Sequence, residues 1–128
     1  MTDTSFPASE RIRSQNEFQK IYKEGTAFHG TFLVAFIYQK TNLERRVGIV
    51  AGRKVGNAVR RNRSKRLLRE AYRQLRPLLP SQGLQLILVA RRACADTSSR
   101  HVSAELHRLC ESYFGEGLRP NPNETIFD

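Results

Sequence analysis

The chain is poor in the residues that build several kinds of functional site. Among its 128 residues there are two cysteines, Cys94 and Cys110, and they form no metal-ligand spacing. Both read as reduced, semi-buried small residues of a cytosolic protein rather than as a disulfide. No apolar run approaches the roughly 20 residues needed to cross a bilayer, and the stretch MTDTSFPASE lacks the pattern of a signal peptide. Carboxylates are scattered, with Glu17, Glu24, Glu44, Glu70, Asp96, Glu105 and Glu111 on different segments. A metal-dependent protein nuclease needs clustered carboxylates to hold ions and a placed base to activate water, so no catalytic residue and no protein-held metal is expected. His29, His101 and His107 share no ligand spacing with Cys or acids, and His101 and His107 read as surface or partly buried helix residues.

What the chain has instead is positive charge. Lys and Arg number 22 against 12 acids, a net charge of +10. Such an excess calls for a polyanionic partner, nucleic acid before membrane surface. Half of the basic residues, 11 of 22, lie between Arg46 and Arg76, where Glu70 is the only acid. A merely solubilising surface mixes its signs, so the clustering favours a dedicated binding face.

The length fits one domain. Residues 1–10 and 116–128 lack hydrophobic periodicity and read as loose tails around a single domain at 11–115. Ser14 and Glu17 form a capping box for a first helix that Gly25 ends, with Phe18, Ile21 and Tyr22 on one apolar face. The β-branched and aromatic run Thr31–Gln39 reads as a strand, Lys40–Glu44 as a turn, and Arg46–Arg53 as a second strand; Ala27–His29 is a candidate third. In the second of these, Val47, Ile49 and Ala51 share one face, while Gly48, Val50 and Gly52 leave the other shallow enough for close approach. Leu84–Arg91 reads as a buried central strand, and Ser98–Phe114 as a closing amphipathic helix with Val102, Leu106, Leu109, Cys110 and Tyr113 inward. The order helix, two or three strands, helix, strand, helix describes an α+β fold with one sheet, not a doubly wound one.

The basic segment becomes informative when it is wound as a helix from Ala58 to Arg76, where Pro77 stops it. At 100° per residue, Ser64, Leu67, Leu68, Ala71, Tyr72 and Leu75 make a core-facing stripe, and Asn62, Lys65, Arg66, Arg69, Arg73 and Arg76 fall beside it. Lys54, Asn57, Arg60, Arg61 and Arg63 extend the basic patch around the helix N-terminus, where free backbone N–H groups add anion affinity. A solvated charged face would interleave acids and favour Lys and Glu. Arg suits planar, bidentate contact with phosphate and stacking on bases.

At these residues the chain resembles the protein subunit of bacterial ribonuclease P. The family's Arg-Asn-Arg signature, followed by Lys-Arg and a further Arg, is matched by Arg61, Asn62, Arg63, Lys65, Arg66 and Arg69. The stretches RVGIVAGRKVGNAV and NEFQKIYKEGT are similar to the family's strand-and-turn and first helix, so the likeness runs from about Arg11 to Phe114. It implies a four-stranded sheet with three helices in the order α-β-β-β-α-β-α, like a domain of a small-subunit ribosomal protein, with a left-handed βαβ crossover. It also implies a cytoplasmic job: binding a large catalytic RNA and helping it remove the 5′ leader from precursor tRNA, with hydrolysis carried by the RNA and Mg²⁺. Membrane and DNA are not expected partners. The basic set from Lys54 to Arg73 would contact the catalytic RNA. Phe18 and Tyr22 match the aromatic positions of the family's leader-binding cleft, with Gly48, Val50 and Gly52 as its floor.

Two points stay open on sequence. The alternative for Phe18 and Tyr22 is packing into the core, and either face of Phe32–Tyr38 could line the cleft. A structural ribosomal or assembly protein would share this fold and charge without needing a cleft. A DNA-binding transcription factor fits less well, because Leu67, Leu68 and Ala71 commit the helix to the core and offer its side rather than its N-terminal end.

Overall fold

The computed structural model describes residues 7–118. Helix α1 (Gln15–Glu24) starts where the Ser14 side chain accepts the Glu17 N–H at 3.1 Å. Strands β1 (Thr26–His29), β2 (Leu33–Glu44) and β3 (Arg46–Val50) follow, then α2 (Ala58–Leu75), β4 (Gln82–Ala90) and α3 (Ser99–Phe114). Short 3-10 turns occupy Ala8–Glu10, Arg53–Val55, Arg76–Leu78, Arg92–Asp96 and Gly115–Leu118.

The four strands form one mixed sheet in the order β1-β2-β4-β3. Strand β2 pairs antiparallel with both β1 and β4, whereas β3 runs parallel to β4 as a βαβ unit through α2. The central position of β4 explains its apolar run: five consecutive residues, Leu84–Leu88, are buried. One sheet face, carrying Leu33, Ala35, Ile37, Val47, Leu86 and Leu88, packs with α2 and α3 into the main core. The other face packs Ile87 against Ile12 and Ile21, with Phe18, Phe36, Tyr38, Val50 and Val89 around them half-buried.

Several boundaries differ from expectation. Strands β2 and β3 are not hairpin partners, since β4 lies between them, so no tight turn is required. Lys40–Glu44 therefore continues β2, with a register shift between Gln39 and Glu44 and Asn42 at φ 75°. Strand β3 stops at Val50, which puts Gly52 beyond the sheet, exposed and with open space where a Cβ would stand. Residues 8–10 and 115–118 form 3-10 turns with Glu10 and Leu118 buried, so structure reaches past both expected tail boundaries; residues 1–6 and 119–128 lie outside the described residues.

Both cysteines are free and buried. Burial raises the Cys94 thiol and pushes that of Cys110 up to about 12, so both stay protonated at neutral pH. Among the described residues no helix is long and apolar enough to cross a membrane.

Candidate nucleic-acid interface

Helix α2 buries Ser64, Leu67, Leu68, Ala71, Tyr72 and Leu75, the stripe expected from its periodicity. The cations beside that stripe divide by what they touch. Lys54, Asn62, Arg66 and Arg69 are exposed and Lys65 is half-buried, and none makes a hydrogen bond or ion pair that competes for its donors among the described residues. Their donors face outward.

Arg60 and Arg63 turn back instead. The Arg60 guanidinium donates to both Asp96 oxygens at 2.7 and 2.9 Å, to the Val55 carbonyl at 2.8 Å and to the Arg92 carbonyl at 3.1 Å. The Asp96 hydrogen bond raises the Arg60 pKa and lowers that of Asp96. Gly56, at φ 134°, makes room for this arm, because a Cβ there would stand 2.6 Å from Arg60 Cδ. Arg63 donates to the carbonyls of Ala95 and Thr97 at 2.9 and 2.8 Å. Both residues thus clamp the start of α2 to Arg92–Asp96. Arg61 gives one N–H to the Gly56 carbonyl at 3.0 Å, and Arg73 pairs with Glu70 at 2.6 Å. Asn57 caps α2, its side-chain oxygen accepting the Arg60 N–H at 3.0 Å. Acids from outside the basic segment also meet its charge, Asp96 at Arg60 and Glu10 at Arg76.

On the opposite sheet face, Phe18 and Tyr22 ride over the strands. Their rings stack with centroids 6.3 Å apart, and Tyr22 meets Phe36 edge-on at 4.9 Å. Tyr22 is 37 % exposed and Phe18 half-buried, so both rings rest on the sheet and present an open side. In β2, Phe36 and Tyr38 lie on the α1 side, while Leu33, Ala35 and Ile37 point into the main core. The Tyr38 hydroxyl donates to Glu24 at 3.1 Å. Gly48 lets the Phe18 ring sit close over β3, since a Cβ there would meet Phe18 Cε1 at 2.6 Å.

A groove of about 210 Å³ follows the outer edge of β3 and joins the two surfaces. Phe18, Ile12 and Gly48 line it together with Arg11, and Lys65 and Arg69 of α2 line it as well. Gly48 and Phe18 thus share a groove with the basic helix; Val50 packs into the α1-side cluster, and Gly52 does not join them.

The sequence-family model for ribonuclease P matches residues 6–113. The chain belongs to the ribonuclease P family. Relatives of this ribonuclease P chain include the ribonuclease P protein component of Alkaliphilus oremlandii, 39 % identical over 103 residues that cover 80 % of this chain and 90 % of that protein. The corresponding component of Symbiobacterium thermophilum is 37 % identical over 102 residues, covering 79 % and 88 %. Among solved structures, the Staphylococcus aureus RNase P protein superposes with a TM-score of 0.70 at 27 % identity, covering 81 % of this chain and 94 % of that one. The Thermotoga maritima RNase P protein gives 0.68 at 29 % identity, covering 80 % and 96 %. The α+β fold with one mixed four-stranded sheet matches these structures.

Two acids of this ribonuclease P chain have positions that their scatter in sequence concealed. Glu105, on the buried side of α3, accepts the backbone N–H groups of Thr31, Phe32 and Leu33 at 2.7, 2.7 and 3.0 Å, fixing the start of β2. Glu10 is buried among Tyr72, Arg45 and Arg76. An acid at position 105, three residues after Val102 in the apolar stripe of α3, was the available signal for the first. Among the described residues, no three His, Cys, Asp or Glu side chains come together as a metal site.

Proposed function

We propose that this chain is the RNA-binding subunit of a cytoplasmic ribonuclease P ribonucleoprotein, holding the catalytic RNA on α2 and the 5′ leader of precursor tRNA in the cleft beside α1. The observation that carries this reading is the shared groove: an aromatic ring on one side and two outward cations on the other suit a single strand, whose bases stack and whose phosphates need neutralising. Stacking on such rings is worth about 1–3 kcal/mol per base and tolerates any sequence. Lys54, Asn62, Lys65, Arg66 and Arg69 are the direct RNA contacts, with Arg61, Arg73 and Asn57 contributing the donors that their internal bonds leave over. Arg60 and Arg63 act by holding the helix. In this reading Mg²⁺ is held by the RNA, where it would supply the hydrolytic chemistry. The protein's part is positioning and charge neutralisation.

The test is cleavage of precursor tRNA by a ribonuclease P RNA at low Mg²⁺, with and without the purified protein. Rescue of cleavage is expected, and its absence defeats the proposal. Crosslinking from Phe18 or Tyr22 to the leader separates this reading from that of a structural ribosomal or assembly protein, which has no leader to meet.

A further inference from the structure

We infer that Glu10 is a positioning residue for the cleft, a buried latch that holds the N-terminal segment against β3 and so seats Phe18. This rests on the reading that the cleft takes the leader. Glu10 is 8 % exposed. One carboxylate oxygen accepts the Tyr72 hydroxyl at 2.6 Å and Arg76 Nε at 3.1 Å. The other accepts Arg76 Nη2 at 2.6 Å and Arg45 Nη2 at 3.1 Å. Arg45 in turn donates to the Pro80 carbonyl at 3.2 Å. Four segments therefore meet at one carboxylate: the Ala8–Glu10 turn, the β2–β3 junction, the end of α2 and the turn after it.

The next two residues carry that anchorage to the cleft. Arg11 bridges to Val47, and the Ile12 N–H donates to the Val47 carbonyl at 3.1 Å, so the segment runs along the edge strand. Ile12 is buried, and its δ1 carbon shares the space above Gly48 with the Phe18 ring. Arg11 and Ile12 also line the groove. A terminal segment opens locally unless something holds it. Here a carboxylate shared by two guanidiniums does so, and it ties the cleft wall to the helix whose other face presents Lys65 and Arg69.

The experiment assembles the holoenzyme on a ribonuclease P RNA and measures affinity for precursor and mature tRNA with the wild-type chain, Glu10→Gln and Tyr72→Phe. Glu10→Gln should lower the precursor-to-mature affinity ratio by about five-fold or more, the worth of one weakly stacked base. Affinity for the catalytic RNA should hold, and the Ile12 δ1-methyl resonance should shift in the folded free protein. An unchanged ratio in folded Glu10→Gln overturns the latch. Should that variant not fold, Tyr72→Phe decides, since it removes only the hydroxyl; a ratio equal to wild type then overturns it. Equal affinity of the wild-type enzyme for the two tRNAs would instead defeat the leader reading. The Ile12 resonance alone then judges the latch, and no shift in either variant ends it.

Discussion

Between Arg60 and Arg73 the chain places six arginines, and what each guanidinium touches decides its work. Arg66 and Arg69 are exposed, whereas Arg60 spends its donors on Asp96, Val55 and Arg92. A cation that neutralises a phosphate releases counterions, so removing it flattens the dependence of log K on log salt by about 0.7–0.9 per contact. Arg66→Ala and Arg69→Ala should each lower the slope of catalytic-RNA binding by that order. Arg60→Ala should weaken binding with the slope unchanged, because it loosens the start of α2 without removing a phosphate contact. A salt titration of the three variants checks this, and equal slope losses would return Arg60 to the RNA. Helical periodicity places a side chain on a face, but it cannot show which arginines fold back. That depends on Arg92–Asp96, some thirty residues onward, lying over the helix start. Glu10 and Glu105 were hidden for the same reason, as both bind groups more than 30 residues away in sequence.

At the scale of elements, local chemistry was more legible. The apolar stripe of α2, the capping box of α1 and the buried run of β4 follow from spacing and residue type alone. Strand order did not, because inserting β4 between β2 and β3 is a long-range choice that leaves no mark in either strand. The alternation in β3 was legible as far as Val50, and it put Gly48 on the shallow face. Its consequence needed the structure: the Phe18 ring reaches so far over β3 that a Cβ at position 48 would lie 2.6 Å from Phe18 Cε1 and 2.8 Å from Cζ. Overpacking a closed core costs about 1–3 kcal/mol. Here the obstructed atoms are the outer end of a half-buried ring, which can swing toward solvent. Gly48→Ala should therefore cost less than about 1 kcal/mol of stability while displacing Phe18. Precursor tRNA should bind about five-fold or more weakly and mature tRNA unchanged, by the worth of a lost stacking contact. A large drop in melting temperature with the precursor-to-mature ratio intact would mean that Phe18 serves the core.

For the molecule as a whole, the same positive charge that recruits RNA works against folding, since +10 on a small domain repels itself. Glu10 is the point where that repulsion is answered from inside. Burial alone would raise its pKa, but hydrogen bonds from Arg76 and Tyr72 and the charge of Arg45 outweigh burial and hold it below the ordinary carboxylate range. A carboxyl with a depressed folded pKa binds fewer protons folded than unfolded, so it contributes stability above its unfolded value, about 4.3 for Glu. That contribution is lost as pH falls through the lower folded value. Asp96, held down by Arg60, acts in the same direction from the surface. Chemical unfolding from pH 7 to pH 2 should thus show stability falling below about pH 4. Three terms add there, protonation of Glu10, loss of the exposed Asp96–Arg60 pair and rising net charge as the other acids neutralise, and salt separates the buried one from the other two. Added KCl screens exposed repulsion but hardly reaches a buried group. In the wild type, 0.5 M KCl should recover part of the acid loss and leave a residue. In Glu10→Gln, less stable at neutral pH, the curve should be shallower and the remaining acid loss almost wholly salt-sensitive. A wild-type acid loss that salt abolishes entirely would remove Glu10 from the account of acid stability.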